Sequence, residues 1–391
     1  MASTDSTSFP LVEINPISNM HNAWVALSLR IAPAQGDAGA GLHRVFASAD
    51  LLVAIAPLDC IVMLDSPDAL TDSLLALMPP RRVGFCIPAR AMQTSAQTRR
   101  VVSLQDTGHR VLLNGPPAVE RATPVDLRAV ADDHTDNAGK IKALPPVFGP
   151  HLAYGVNNAG QLAKCARAGY EWFAGDYPLH PEPSPKPDDG SSRKRLMTLL
   201  GLLARDAETR DLENLLKQDP ALSYHLLKLA NSAAFAHAAP ITSFGQAISV
   251  LGRRQLQRWL QLLLYARHQP DGVPNALLPL AGLRAAQMEA LCKLRGGERD
   301  DQDLAFMTGV FSLLDLLFGL PMAEIVGALN LPQVAADALL RREGPLGQLL
   351  LLVESRRVTP AMLDQAGFLP TAFWQTQLLA YHWAIQVSRN L

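Results

Sequence analysis

Three groups of side chains in this sequence could do chemistry, and their spacing limits what each could do. His225, His237 and His268 share the carboxy-terminal half with Asp219, Asp271, Asp303 and Asp315, a set from which a metal site could be assembled. No adjacent His-Asp pair occurs anywhere in the 391 residues. His225 sits mid-helix beside an apolar stripe, and His237 and His268 lie near helix ends, where an imidazole meets free carbonyls. Asp315 follows an apolar helical run and reads as an exposed or capped residue. The four cysteines, Cys60, Cys86, Cys165 and Cys292, are widely spaced without a C-x-x-C pair, which predicts isolated buried thiols and neither zinc nor disulfides. The third group is basic: Arg193-Lys194-Arg195, and Arg253, Arg254 and Arg258 beside Trp259. Three positive charges give nucleic acid little affinity, and the basic side of one amphipathic helix is ordinarily solvated. With no glycine-rich phosphate loop and no nucleophile signature, the chain reads as one that binds and does not convert.

The elements that must position these groups fall into two regions. The composition, 48% hydrophobic and 18% charged, is that of a globular chain, and its length suits two domains. A net charge of −1 creates no global field toward nucleic acid or membrane. The polar start MASTDSTSFP lacks the pattern of a signal peptide, and no apolar run approaches the roughly 20 residues of a membrane span, so a soluble cytoplasmic protein is expected. Residues 1–180 alternate strand-like runs (VALSLRIA, CIVMLD, RVGFCIP, RVLLNG) with helical ones (SADLLVAIA, PDALTDSLLALM, and TSAQTRRVVSLQDTG ending at Gly108), the signature of a parallel sheet wrapped by helices. Residues 181–192 are proline-rich and predict a linker. Residues 193–391 are helical in pattern. Asp219-Pro220 starts a helix with the stripe Leu222, Leu226, Leu229; Ser243 and Gln246 form the capping box of a second, which Gly252 ends. The next helix places Leu256, Leu260, Leu263 and Leu264 on one side and Arg254, Arg258 and Gln261 on the other; Phe373, Trp374, Trp383 and Val387 pack the last.

The series DPAL…LLKLANSA…PITS…AI..LG, continued by LGRRQLQRWLQLLLYA and by FSLLDLLFGLPMAEIVGALNL, resembles the HDOD domain, a helical relative of the HD phosphohydrolases found in bacterial signalling proteins. More faintly, EINPIS, WVALSLR, PPRRVGFCIP, GHRVLLNG and YGVNNAGQLAKCARAGYEWFAGDYPLHP resemble, in order, the strands of an EAL domain, so that the whole is similar to EAL–HDOD proteins. The resemblance implies an α/β, TIM-like barrel followed by an all-α bundle. The amino-terminal region has roughly 170 residues against about 250 for a complete barrel, which predicts missing strands or helices and exposed sheet edges.

Intact EAL domains hydrolyse cyclic di-GMP with two divalent cations, which need oxygen ligands converging at the strand ends. At the matching positions stand Ala26 for the signature glutamate, Cys86 for the next metal-binding glutamate, Asn114 and Gly115 for the paired aspartates, and Asn157 for the late glutamate. The lysine of the K-x-D motif falls near Pro124 and its aspartate near Asp126. The resemblance therefore implies a protein that is not an enzyme, holds no metal or cofactor, and keeps Arg30 and Asp126 as its ligand-type residues. The expected role is a signalling scaffold whose two domains bind a partner protein, with cyclic di-GMP, nucleic acid and membrane not expected as partners and self-association left open by the leucines of residues 312–352. The alternative is a sensor that binds a cyclic dinucleotide through Arg30 without cleaving it.

Overall fold

Apolar runs bounded by turn formers become strands here because each can bury a face in a shared interior. The protein is seen in a computed structural model that describes residues 9–32, 38–115, 129–135, 144, 149–181, 252–265, 274–329 and 331–390, with scattered positions between 198 and 246. Eight strands, β1 (Val12–Ser18), β2 (Trp24–Ile31), β3 (Asp59–Met63), β4 (Val83–Pro88), β5 (Arg110–Asn114), β6 (Ala129–Asp133), β7 (Leu152–Tyr154) and β8 (Trp172–Ala174), close into a barrel in chain order. Strand β1 is antiparallel to β2 and β8; the other neighbours are parallel. No strand has been lost, so the expectation of open edges is corrected. The economy lies in strand length instead, since β7 and β8 have only 3 residues each.

Five helices accompany these strands among the described residues: α1 (Ala38–Phe46), α2 (Asp50–Ala54), α3 (Asp72–Leu75), α4 (Ser95–Asp106) and α5 (Ala159–Ala168). Local chemistry sets their ends. Thr94 Oγ1 accepts from the Gln97 N–H at 3.2 Å while Gln97 Oε1 accepts from the Thr94 N–H at 3.1 Å, a reciprocal box that starts α4. Gly108, at φ +86°, turns the chain out of that helix where the sequence placed its stop. The single helix expected over PDALTDSLLALM is instead split, because Ser66 caps a short 3₁₀ turn and Thr71 then caps α3 separately.

By its internal contacts the chain divides into two units, residues 1–182 with 356–378 and residues 183–355 with 379–391. The first therefore includes a late segment, α13 (Pro360–Ala366) and the first part of a long helix (Pro370–Asn390). Leu363, Phe368, Phe373 and Trp374 are buried there, and the Trp374 and Phe9 rings lie 5.8 Å apart.

The described part of the second unit is helical: α6 (Arg253–Leu263), α7 (Leu277–Leu294), α8 (Arg299–Phe311), α9 (Leu314–Phe318), α10 (Met322–Leu329), α11 (Gln333–Arg341) and α12 (Gly344–Glu354). Leu256, Leu260, Leu263 and Leu264 are buried as the α6 stripe requires. Its basic side is not the solvated face expected. Arg258 Nη2 donates to Glu289 at 2.5 Å and to Asp303 at 2.9 Å with its guanidinium 4.8 Å from the Phe306 ring, Arg254 Nε reaches Asp303 at 2.5 Å, and Trp259 is buried. Opposite charges on α7 and α8 have drawn the arginines inward. Asp315 departs from expectation in the same way: Oδ1 is buried without a hydrogen-bond partner. Of the helix pair expected over Gln218–Gly252, only Asn231, Ile241, Gln246 and Gly252 are described, as is Pro181 alone of the proline-rich linker, while His225, His237 and His268 lie outside the described residues. Asn231 exchanges two hydrogen bonds with the Ile241 backbone, at 2.8 and 2.7 Å, so its amide clamps the approach to PITS.

Candidate functional site

Alternation decides which side chains reach the barrel mouth, the end formed by the carboxyl ends of the parallel strands. Ile17, Ala26, Ile61, Cys86, Leu112, Ala131, Leu152 and Ala174 pack together as the interior. Residues an even number of positions away share that face, which puts Arg30, Asn114, Asp133 and Tyr154 on the inner side at the mouth. On the antiparallel β1 the same count from Ile17 reaches Glu13, whose register partner is Arg30. A (β/α)₈ barrel carries its active groups at this end.

The pairings within the mouth are specific. Asn114 Nδ2 donates to the Tyr154 hydroxyl at 2.7 Å, and Asp133 Oδ1 accepts from the Thr135 N–H at 2.9 Å and from its hydroxyl at 2.6 Å. Arg30 Nη1 meets Asp65, just beyond β3, at 3.4 Å; Arg30 is 33% exposed and Asp65 81%, so this exposed pair holds the guanidinium weakly. Two arginines of the late segment complete the rim: Arg357 Nε lies 3.3 Å from Glu13 Oε1, and Arg356 pairs with Asp176, which follows β8. Burial pushes the Tyr154 hydroxyl up to about 12, with Asp133 and Cys86 adding to the rise and Asn114 and Arg30 opposing it. Burial likewise pushes the Cys86 thiol up to about 12 against the pull of Arg30. Cys86 therefore stays a thiol at neutral pH and serves as interior packing. The other three cysteines are also free and buried, as their spacing indicates.

Beside the mouth, His134 is buried with neither ring nitrogen hydrogen-bonded, its ring edge-on to Tyr170 at 5.3 Å. Desolvation lowers its pKa, opposed by Asp132 and Asp133. Asp132 is engaged elsewhere, accepting a hydrogen bond from the Tyr170 hydroxyl.

Ala26, Cys86 and Asn114 all sit on the inner face, as the motif positions require, and Gly115 and Asn157 follow their strands. Asp126 lies outside the described residues and precedes β6; the acid at the carboxyl end of β6 is Asp133. Glu13, Asp65, Asp133, Tyr154 and His134 had not been singled out from sequence. The signal for Asp133 was available in the short apolar run ending in two acids, AVADD; for Glu13 it was the alternation Glu13, Asn15, Ile17. Among the described residues, no three His, Cys, Asp or Glu are grouped to hold a metal ion. No helix among the described residues is long and apolar enough to cross a membrane.

Residues 193–272 match the HDOD domain family. The cyclic di-GMP phosphodiesterase CdgJ of Vibrio cholerae serotype O1 is 30% identical over 204 residues, 52% of this chain and 47% of CdgJ. The uncharacterized protein YuxH of Bacillus subtilis is 26% identical over 206 residues, 52% of this chain and 50% of YuxH. The matches thus span about half the length of these curated relatives. Among solved structures, the EAL domain of Mycobacterium smegmatis DcpA has a TM-score of 0.34 at 14% identity, covering 42% of this chain and 89% of that one. A closed α/β barrel is followed in the chain by a segment that matches the HDOD domain family. The chain is thus similar to CdgJ and YuxH over about half of its length, and residues 193–272 carry the likeness to the HDOD family.

The expectation that the chain is not an enzyme is corrected by the likeness to CdgJ, a protein named a cyclic di-GMP phosphodiesterase. That expectation rested on counting motif positions.

Proposed function

We propose that this chain is a regulatory component of cyclic di-GMP signalling that acts by docking a partner protein through its helical region. The observation that carries this reading is a group of exposed apolar side chains on helices that pack together. Leu294 on α7, Val334 and Leu340 on α11 and Leu351 on α12 are each more than 40% exposed, and α12 packs against both α7 and α11. Most other leucines from residue 312 to 352 are core, including Leu313, Leu314, Leu329, Leu339, Leu349 and Leu350, so the exposed ones are the remainder left for recognition. The partner class is another signalling protein. Cross-linking in cells followed by partner identification tests this: one specific protein should be recovered with the native chain and lost with Val334→Asp/Leu351→Asp. Recovery unchanged by that double variant would overturn the reading.

A second reading has its own observation. Arg30 stands at the mouth with only a weak exposed partner, and a guanidinium suits a phosphodiester. Here the mouth takes a cyclic dinucleotide, the compound in CdgJ's name. Calorimetric titration of cyclic di-GMP into the native chain and Arg30→Gln, with linear product assayed in Mg²⁺ or Mn²⁺, measures binding and turnover separately.

A further inference from the structure

The opposite end of the barrel carries a feature that neither reading uses. A cavity of about 520 Å³ opens where β3, β4, β5 and β6 begin, lined by Asp59, Arg81, Arg82, His109, Arg110 and Gly149 among others. Small-molecule sites commonly occupy about 300–1,000 Å³. Among the described residues three guanidinium groups and the Asp59 carboxylate line this wall, and the Glu171 carboxylate lies against Gly149, so arginine is in surplus by one charge before His109 is counted.

The fold accounts for part of this charge. Arg110 Nη1 donates to Asp59 at 2.7 Å, with its guanidinium 4.9 Å from the Trp172 ring. Arg82 Nη2 donates to the carbonyls of Leu52 and Leu58 at 3.1 and 3.0 Å. His109 is spent on Thr107 and on the Met78 carbonyl, both at 3.0 Å. Glu171, whose carboxylate lies against Gly149, accepts the His151 N–H at 3.2 Å. Two donors are left over. Arg82 keeps a buried Nε with no partner, and Arg81 is exposed with no ion pair or hydrogen bond to any described residue. A buried unpaired guanidinium nitrogen is costly, and the amino-terminal face of a barrel ordinarily serves stability alone. Surplus unpaired positive charge on a concave surface is what an anion would satisfy.

We propose that this cavity is a second binding site, separate from the mouth, for a small phosphate-bearing anion. Arg81 and Arg82 supply the hydrogen bonds to the phosphate oxygens and Arg110, held by Asp59 and Trp172, supplies fixed charge. The volume admits either a bare polyphosphate or a mononucleotide.

The test is calorimetric titration of the full chain at low ionic strength with inorganic pyrophosphate, 5′-GMP and guanosine. The variants are Arg81→Glu, an exposed position whose change leaves folding intact, and Arg30→Gln at the mouth. Pyrophosphate should bind, weakened tenfold or more by Arg81→Glu and unchanged by Arg30→Gln. Tighter binding of GMP than of pyrophosphate, with guanosine silent, assigns a nucleotide; equal binding assigns free phosphate. The proposal is overturned if pyrophosphate and GMP both fail to bind at about 1 mM, if Arg81→Glu leaves binding intact, or if Arg30→Gln abolishes it. None of these outcomes bears on partner docking by the helical region.

Discussion

The two ends of one barrel handle charge differently. At the mouth, polar side chains of both signs come from many elements and largely satisfy one another: Asn114 with Tyr154, Asp133 with Thr135, Glu13 with Arg357, Asp176 with Arg356. At the amino end arginines outnumber carboxylates, and one guanidinium nitrogen is buried unpaired. Most charge at the mouth is thus paired within the protein, while the amino end leaves arginine in surplus. A mouth held by exposed pairs should also yield easily, since such pairs contribute little each.

The largest effect that would sharpen this contrast is expected from Gly175→Ala at the mouth. Gly175 sits at φ +148°, and an added Cβ would fall 2.2 Å from the Val156 carbonyl oxygen, so backbone must move. We expect a loss of about 3 kcal/mol or more in urea unfolding. Arg110→Ala at the amino end comes next: removing the Asp59 pair and the Trp172 contact should cost about 1–2 kcal/mol, read as a lower midpoint with unchanged slope. A cost below about 0.3 kcal/mol would show that this arginine is held for a ligand and not for stability.

His134 gives a pH test. Its folded-state pKa lies below the usual imidazole value because burial disfavours the charged ring. The unfolded chain therefore binds a proton first as pH falls, so the contribution is fully present above the unfolded value of about 6.5 and is lost below it. Unfolding between pH 8 and 5 should show that loss, and His134→Phe should flatten it. The smallest effect is expected from Arg357→Ala, at most about 0.5 kcal/mol, because that side chain is 78% exposed. A loss several times larger would mean that the late segment is held on the mouth by charge and not by Leu363, Phe373 and Trp374.

Much of the framework was legible because it is local. Strands β2 to β5 coincide with continuous apolar runs, Gly108 ends α4 where a left-handed residue is needed, and the α6 leucine stripe is buried throughout. Strands β6 to β8 escaped the reading by pattern, and only the resemblance touched β8: runs of three to five residues such as LAY, WFA and AVADD carry too little period to tell a strand from a turn. The candidate site was legible only in part. Arg30 was found, as were the substitutions at Ala26, Cys86 and Asn114, each within a strand readable by itself.

What the sequence by itself determined is therefore the run of elements through β5, the α6 stripe, and the residues standing at each motif position, since propensity, capping and short-range pattern act over a few residues; the late segment 356–378, expected with the helical region, groups with the first unit. Only the tertiary structure decided that the sheet closes, that Glu13 from β1 and Asp133 from β6 enter the same mouth, and that Arg357 arrives there from a segment 344 positions later. The same holds for Arg254 and Arg258, basic surface in a helical projection but ion-paired to Glu289 and Asp303 once α7 and α8 are packed. Barrel closure and helix packing set distances between residues far apart in the chain, and charge pairing depends on those distances.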